Sequence, residues 1–91
     1  MEVLKVSGKS VPKSVAGAIA QVLRRESNVT VQAVGPDAVN QAIKSIAIAR
    51  SYLADDRLDV LTLPSFEKIE IDGLLRTAIK FDLERRELSS G

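Results

Sequence analysis

Ninety-one residues, 45% of them hydrophobic and 27% charged, describe one ordinary globular chain and exclude both a disordered polymer and a multidomain protein. With no cysteine and no histidine, disulfides, thiol chemistry, structural zinc and the commonest general base drop out together. The formal charge is only +1, from 13 bases and 12 acids, yet Lys5 to Arg50 holds seven bases against two acids, so a basic surface is expected in that half.

A chain of this size buries only about 60–65% of the surface it exposes when unfolded, and a second copy would add stability cheaply. A homodimer is therefore expected, with a tetramer as its extension. No apolar run approaches the roughly 20 residues of a membrane span. The start Met1-Glu2-Val3-Leu4-Lys5 lacks the basic-then-apolar layout of a secretory signal. The expectation is a cytoplasmic protein with no membrane partner.

In chain order, Glu2 to Ser7 alternates loosely and runs into Gly8-Lys9-Ser10-Val11-Pro12, a strand with a polar exit. From Lys13 or Ser14, the residues Val15, Ala18, Ile19, Val22 and Leu23 recur at three- and four-residue spacing, which predicts an amphipathic helix capped by Ser10 or Ser14. Gly17 inside it is expected to mark a close packing approach, because glycine costs a helix up to about 1 kcal/mol. Val29 to Val34 alternates and is β-branched until Gly35-Pro36, a turn that places proline at the first position of a second helix.

In that second helix Val39, Ala42, Ile43, Ile46, Ala49 and Leu53 form a stripe that Ala47, Ile48 and Tyr52 widen, more apolar arc than one sheet needs to cover. Val39, Ile43, Ile46, Ala47, Ile48 and Tyr52 are the expected dimer interface. Asp55-Asp56 ends the helix, Leu58 to Leu63 reads as a buried strand, Pro64 stops it or marks an edge, and Ile69-Glu70-Ile71 alternates before an Asp72-Gly73 turn. From Thr77 the run Ile79, Phe81, Leu83 faces in while Lys80, Asp82 and Glu84 face out. One unit over residues 1–86 follows. The stretch from Glu84 onward loses its apolar period, and a frayed tail over 87–91 is expected.

The order β-α-β-α-β-β predicts an α/β two-layer sandwich, two helices on a four-stranded mixed sheet, with a right-handed parallel crossover and a final antiparallel hairpin. Several short motifs invite chemistry and fail. Gly8-Lys9-Ser10 has the end of a phosphate-binding loop, but Val3 stands where its first glycine belongs. Ser10 to Lys13 fits S-x-x-K without its partner motifs. Asp55, Asp56 and Asp59 lack the glycine and distant glutamate of a calcium loop, and Glu70 with Asp72 suits an exposed turn. The chain is read as non-enzymatic, without catalytic residue, metal or cofactor.

What remains is cationic. Gly8, Lys9 and Lys13 bracket the start of the first helix, where free amides and the helix dipole favour anions. Lys44 and Arg50 lie in the same basic half.

Leu4-Lys5-Val6-Ser7-Gly8-Lys9-Ser10, Ser14 to Ala20, Val31 to Gly35, Val39 to Lys44, Ala47 to Arg50, Ile69 to Gly73 and Arg76 to Lys80 closely resemble the bacterial stage V sporulation protein S family. That family is similar in turn to the Alba superfamily of chromatin and RNA-binding proteins. The resemblance implies an Alba-like fold that dimerises through the second helix and touches nucleic acid at Gly8 and Lys9 and at the hairpin bases Lys68 and Arg76. It implies a non-enzymatic regulator of sporulation or cell development that binds DNA or RNA. One of the two usual lysines is missing after the first strand, and Gly35-Pro36-Asp37 carries no positive charge, so binding is expected to be weak. The alternative is a protein-interaction module that keeps the dimer scaffold and has lost nucleic acid.

Overall fold

The computed structural model describes residues 2–89. The elements are β1 (Val3–Val6), α1 (Pro12–Arg25), β2 (Asn28–Ala33), α2 (Pro36–Ala54), β3 (Leu58–Ile71) and β4 (Leu74–Glu87). They form one sheet in the order β1-β2-β4-β3, with β1 parallel to β2 and the pairs β2–β4 and β3–β4 antiparallel. This is the two-layer α/β sandwich anticipated from the periodicity.

Side-chain alternation divides the sheet into two unlike faces. On one, Val29, Val31 and Ala33 stand opposite Leu83, Phe81 and Ile79 and pack beneath the buried Ala16, Ile19 and Leu23 of α1 and Ala42, Ala49 and Leu53 of α2. On the other, Thr30 and Gln32 stand opposite Asp82 and Lys80, and no helix covers them. There the Thr30 hydroxyl donates to Asp82 at 3.1 Å, and the Gln32 amide donates to Glu67 of β3.

Both helices begin without a side-chain cap. The expected caps of α1 are not used: Val11 holds the cap position in extended geometry with Pro12 behind it, and valine has no side-chain oxygen to accept from the free amides of the first turn. Ser10 instead accepts a hydrogen bond from the Ser7 amide at 2.9 Å and closes the loop after β1. Gly35, at φ 88°, starts α2 from a conformation that side chains avoid.

Gly17 differs from its expectation as well. A β-carbon there meets nothing within 4 Å, so no packing within the chain requires glycine. Gly17→Ala should raise stability by about 0.5–1 kcal/mol, by removing backbone freedom from the unfolded chain. A higher urea midpoint with circular dichroism unchanged is the expected reading.

The hairpin is longer than the sequence pattern suggests. β3 continues through Pro64 as an edge strand, where a missing amide costs no ladder bond. β4 runs on to Glu87, paired with Leu58, and the Leu88 amide donates to the Arg57 carbonyl at 2.9 Å. Backbone pairing with β3 thus outlasts the apolar alternation that ends near Glu84, and residues 90–91 of the expected frayed tail lie outside the described residues. At the other end β2 stops at Ala33 opposite Ile79, and the rest of the hairpin, turning at Asp72 and Gly73 with φ 52° and 79°, projects past the body. The molecule is accordingly 51 Å long and 21 by 17 Å across.

Candidate nucleic-acid interface

Parallel strands β1 and β2 end together, Val6 beside Ala33. Both helix N-termini therefore lie at the end of the sheet from which the hairpin projects. Topology brings the loop after β1, the start of α1 and the hairpin bases to one end of the molecule, a grouping that sequence spacing does not show.

The loop Ser7–Ser10 is tied by the Ser10 amide to the Ser7 carbonyl at 3.1 Å and by the Lys9 amide to the Ser7 hydroxyl at 3.2 Å. Lys9 sits exposed on it. Gly8 is there for space: a β-carbon would come within 2.9 Å of the Asp37 β-carbon, and the Gly8 carbonyl accepts from the Gln41 amide at 3.2 Å. The loop is thus pinned against the first turn of α2. The same contact sets Asp37, an acid, beside the place where a phosphate would lie, which weakens that place for anions.

Lys13 and Lys44 are brought together by the packing of α1 on α2. With Val11, Pro12, Ala47 and Ile48 they line an open groove of about 470 Å³ between the helices. Neither lysine has an ion-pair partner among the described residues, nor do Lys9, Lys68 and Arg76.

Arg50 differs. Its guanidinium grips Asp59 of β3 through two hydrogen bonds of 2.7 and 3.0 Å, which neutralises the charge that a phosphate would need. Asp56 is likewise held by Arg24 at 2.7 Å, so two of the three acids after α2 serve as ion-pair partners.

The hydrogen bond from Arg50, with a further one from the Val60 amide, holds the Asp59 carboxyl below the ordinary carboxylate range, and the same pairing raises Arg50. A depressed folded value means that this stabilisation is complete above the unfolded carboxylate value of about 3.9 and is lost as pH falls through the folded value. Urea midpoints of the wild type and Asp59→Asn should therefore differ by a constant amount at mildly acidic and neutral pH. The difference should shrink once the pH drops below about 4.

The two hairpin bases do not share a face. Lys68 stands opposite Thr77, and Arg76 opposite Ile69, so alternation turns Lys68 to the helix side of the sheet and Arg76 to the open side. Each has an acid neighbour on its own face: Glu70 two residues from Lys68, and Glu67 two residues from Ile69. One duplex backbone cannot lie along both bases on a single face.

The six residues expected at the dimer interface divide three ways. Ile46 is 7% exposed and belongs to the chain's own core, a correction that follows from its position between Ala42 and Ala49 on the buried stripe. Val39 and Ile43 share the flank from which Arg50 reaches β3, at four- and seven-residue spacing, and Ile43 remains 49% exposed. Ala47 and Ile48 line the groove against α1, and the Tyr52 carbonyl accepts from Arg24 of α1 at 3.3 Å. Sequence reasoning also missed the apolar hairpin. Phe66, 81% exposed, continues the helix side of β3 past the helices, out of phase with Ile69 and Ile71 on the open side, so no simple alternation signalled it.

A family model described as Stage V sporulation protein S (SpoVS) matches residues 2–86. Among solved structures the chain is similar to Alba from Thermoplasma volcanium, at a TM-score of 0.62 and 14% identity, over 94% of this chain and 100% of that one. At that identity the likeness is one of fold.

Proposed function

The chain belongs to the stage V sporulation protein S family, a membership that suggests a sporulation-related role, and from that premise we propose that it is a non-enzymatic, dimeric regulator that binds DNA or RNA weakly. The observation that carries the reading is the placement of Lys9 and Lys13 at the N-terminus of α1, with Lys44 of α2 across the groove from it, none of the three ion-paired among the described residues. Lys68 and Arg76 add one base to each face of that hairpin. Dimerisation uses the exposed flank of α2 at Val39 and Ile43, continued by Pro64 and Phe66 on the same side of the sheet.

Fluorescence anisotropy of a labelled duplex DNA and a matched RNA across a salt series tests it. The log of affinity should fall linearly with the log of salt, and Lys9→Ala should reduce that slope by about 0.9 on duplex DNA, one phosphate contact's worth. No binding at low salt would sink the reading. It would leave the second one, a protein-interaction module on the same scaffold, which the acid beside Gly8 and the divided hairpin bases favour.

A further inference from the structure

The sheet ends in two unequal edges. β1 offers only four residues, whereas β3 pairs with β4 alone and leaves the other side of a 14-residue strand open. The amides and carbonyls of a strand point alternately to its two sides. The bond from the Leu88 amide to the Arg57 carbonyl and the two-residue turn between Ile71 and Leu74 assign the odd-numbered residues of β3 to β4. The even-numbered ones therefore point outward.

Beside the body this edge is closed. The outward amide of Val60 donates to the Asp59 carboxylate at 2.8 Å, which Arg50 holds in place, and Pro64 has no amide to offer. A free edge is a template for a further strand, and charged side chains and proline are the means by which proteins blunt one. Past Pro64 nothing blunts it. The amides of Phe66, Lys68 and Glu70 face outward without a partner among the described residues, on the part of the hairpin that stands clear of the helices.

Two such edges can bond antiparallel only with even residues opposite even ones, and charge separates the registers that stay beyond Pro64. Three of them set Glu67 opposite Glu67, Lys68 opposite Lys68, or Glu70 opposite Glu70, each a like pair across the join. With Ile69 on the two-fold axis, Lys68 of each copy stands opposite Glu70 of the other on the helix side. On the open side Ile69 then meets Ile69, flanked by Ile71 opposite Glu67, while Asp72 falls opposite Phe66. No like charges oppose one another in that register.

We propose that two copies of the chain join edge to edge through β3, antiparallel about Ile69, the backbone of Lys68 and Glu70 in each bonded to that of Glu70 and Lys68 in the other. The two sheets become one, with both helical layers on the same side. This contact lies away from the α2 flank and does not rest on the nucleic-acid reading. Together the two interfaces join dimers into larger assemblies.

The absence of cysteine lets one be placed on the axis. Opposed residues of a non-hydrogen-bonded antiparallel pair have α-carbons about 4.5 Å apart, within reach of a disulfide. Ile69→Cys, equilibrated in a glutathione redox buffer without nucleic acid, should give a two-chain species on a denaturing gel run without reductant. Thr77→Cys, exposed on β4 of the same hairpin, should give only background. Adding Lys68→Glu or Glu70→Lys to the Ile69→Cys chain sets like charges opposite each other twice and should cut the yield about tenfold. Both changes together should restore it, which a hairpin damaged by either one would not do. No two-chain species from Ile69→Cys, an equal yield from Thr77→Cys, or a yield indifferent to charge reversal would each overturn the proposal. Anisotropy with duplex DNA, measured separately, reports on the nucleic-acid reading whichever way this experiment falls.

Discussion

Leu83→Ala should lower the unfolding free energy by about 2–5 kcal/mol, the range for emptying a fully enclosed leucine site. Leu83 has no exposed surface. It lies opposite Val29 on β2 and Thr62 on β3, so the shortened side chain opens a void under both helices at the strand that joins hairpin to body. A domain of this length has a total stability of only about 5–14 kcal/mol, and the substitution removes a large part of it. In thermal melts the midpoint should fall by about 10 °C or more, since each kcal/mol moves a domain of this size by roughly 4–8 °C. Wild type and variant must be compared at one protein concentration, because association stabilises the folded chain. A loss below about 1 kcal/mol would mean that the core closes over the gap.

Replacing Lys9, Lys13 and Lys44 together by alanine should reduce the salt slope of duplex binding by about 2.7, three contacts at 0.9 each, and weaken binding near 0.1 M salt by about a hundredfold to a thousandfold. These side chains carry exposed charge and no core packing, so the urea midpoint should barely move. That separates a lost contact from a lost fold. Arg50→Ala is the instructive comparison, since its guanidinium is already gripped by Asp59 and the slope should stay as in the wild type. A slope that falls as much for Arg50→Ala as for Lys13→Ala would mean that nucleic acid breaks the ion pair to recruit the arginine.

The helices and the central strands were legible because one face of each is buried, and burial of one face writes a period into the chain. Ile19 and Leu23 in α1, and Phe81 and Leu83 in β4, repeat at the spacing of their own element and end up in the core. Asp72-Gly73 was legible for a local reason, since both residues of the turn take positive φ. The hairpin's full length was not. Past Ile79 no helix covers β4, so Leu74, Leu75 and Phe66 are exposed and their apolarity says nothing about which way they face.

The candidate site divides along the same line. Lys9 beside a helix start is a local pattern and could be read directly. The dimer stripe could not be apportioned, because α2 is flanked by α1 on one side and β3 on the other, and hydrophobicity alone does not distinguish a residue that meets its own chain, such as Ile46, from one left open, such as Ile43.

By itself, the sequence determined the order of the elements, the sandwich they build and the loop that carries Lys9, since each period and turn depends on neighbours within a few residues. Only the tertiary structure decided that Lys13 and Lys44 flank one groove, that Arg50 is bound to Asp59, that Gly8 is pinned against the first turn of α2, and that the hairpin projects past the helices. Those facts rest on how separate elements pack and pair, which no pattern within a single element encodes.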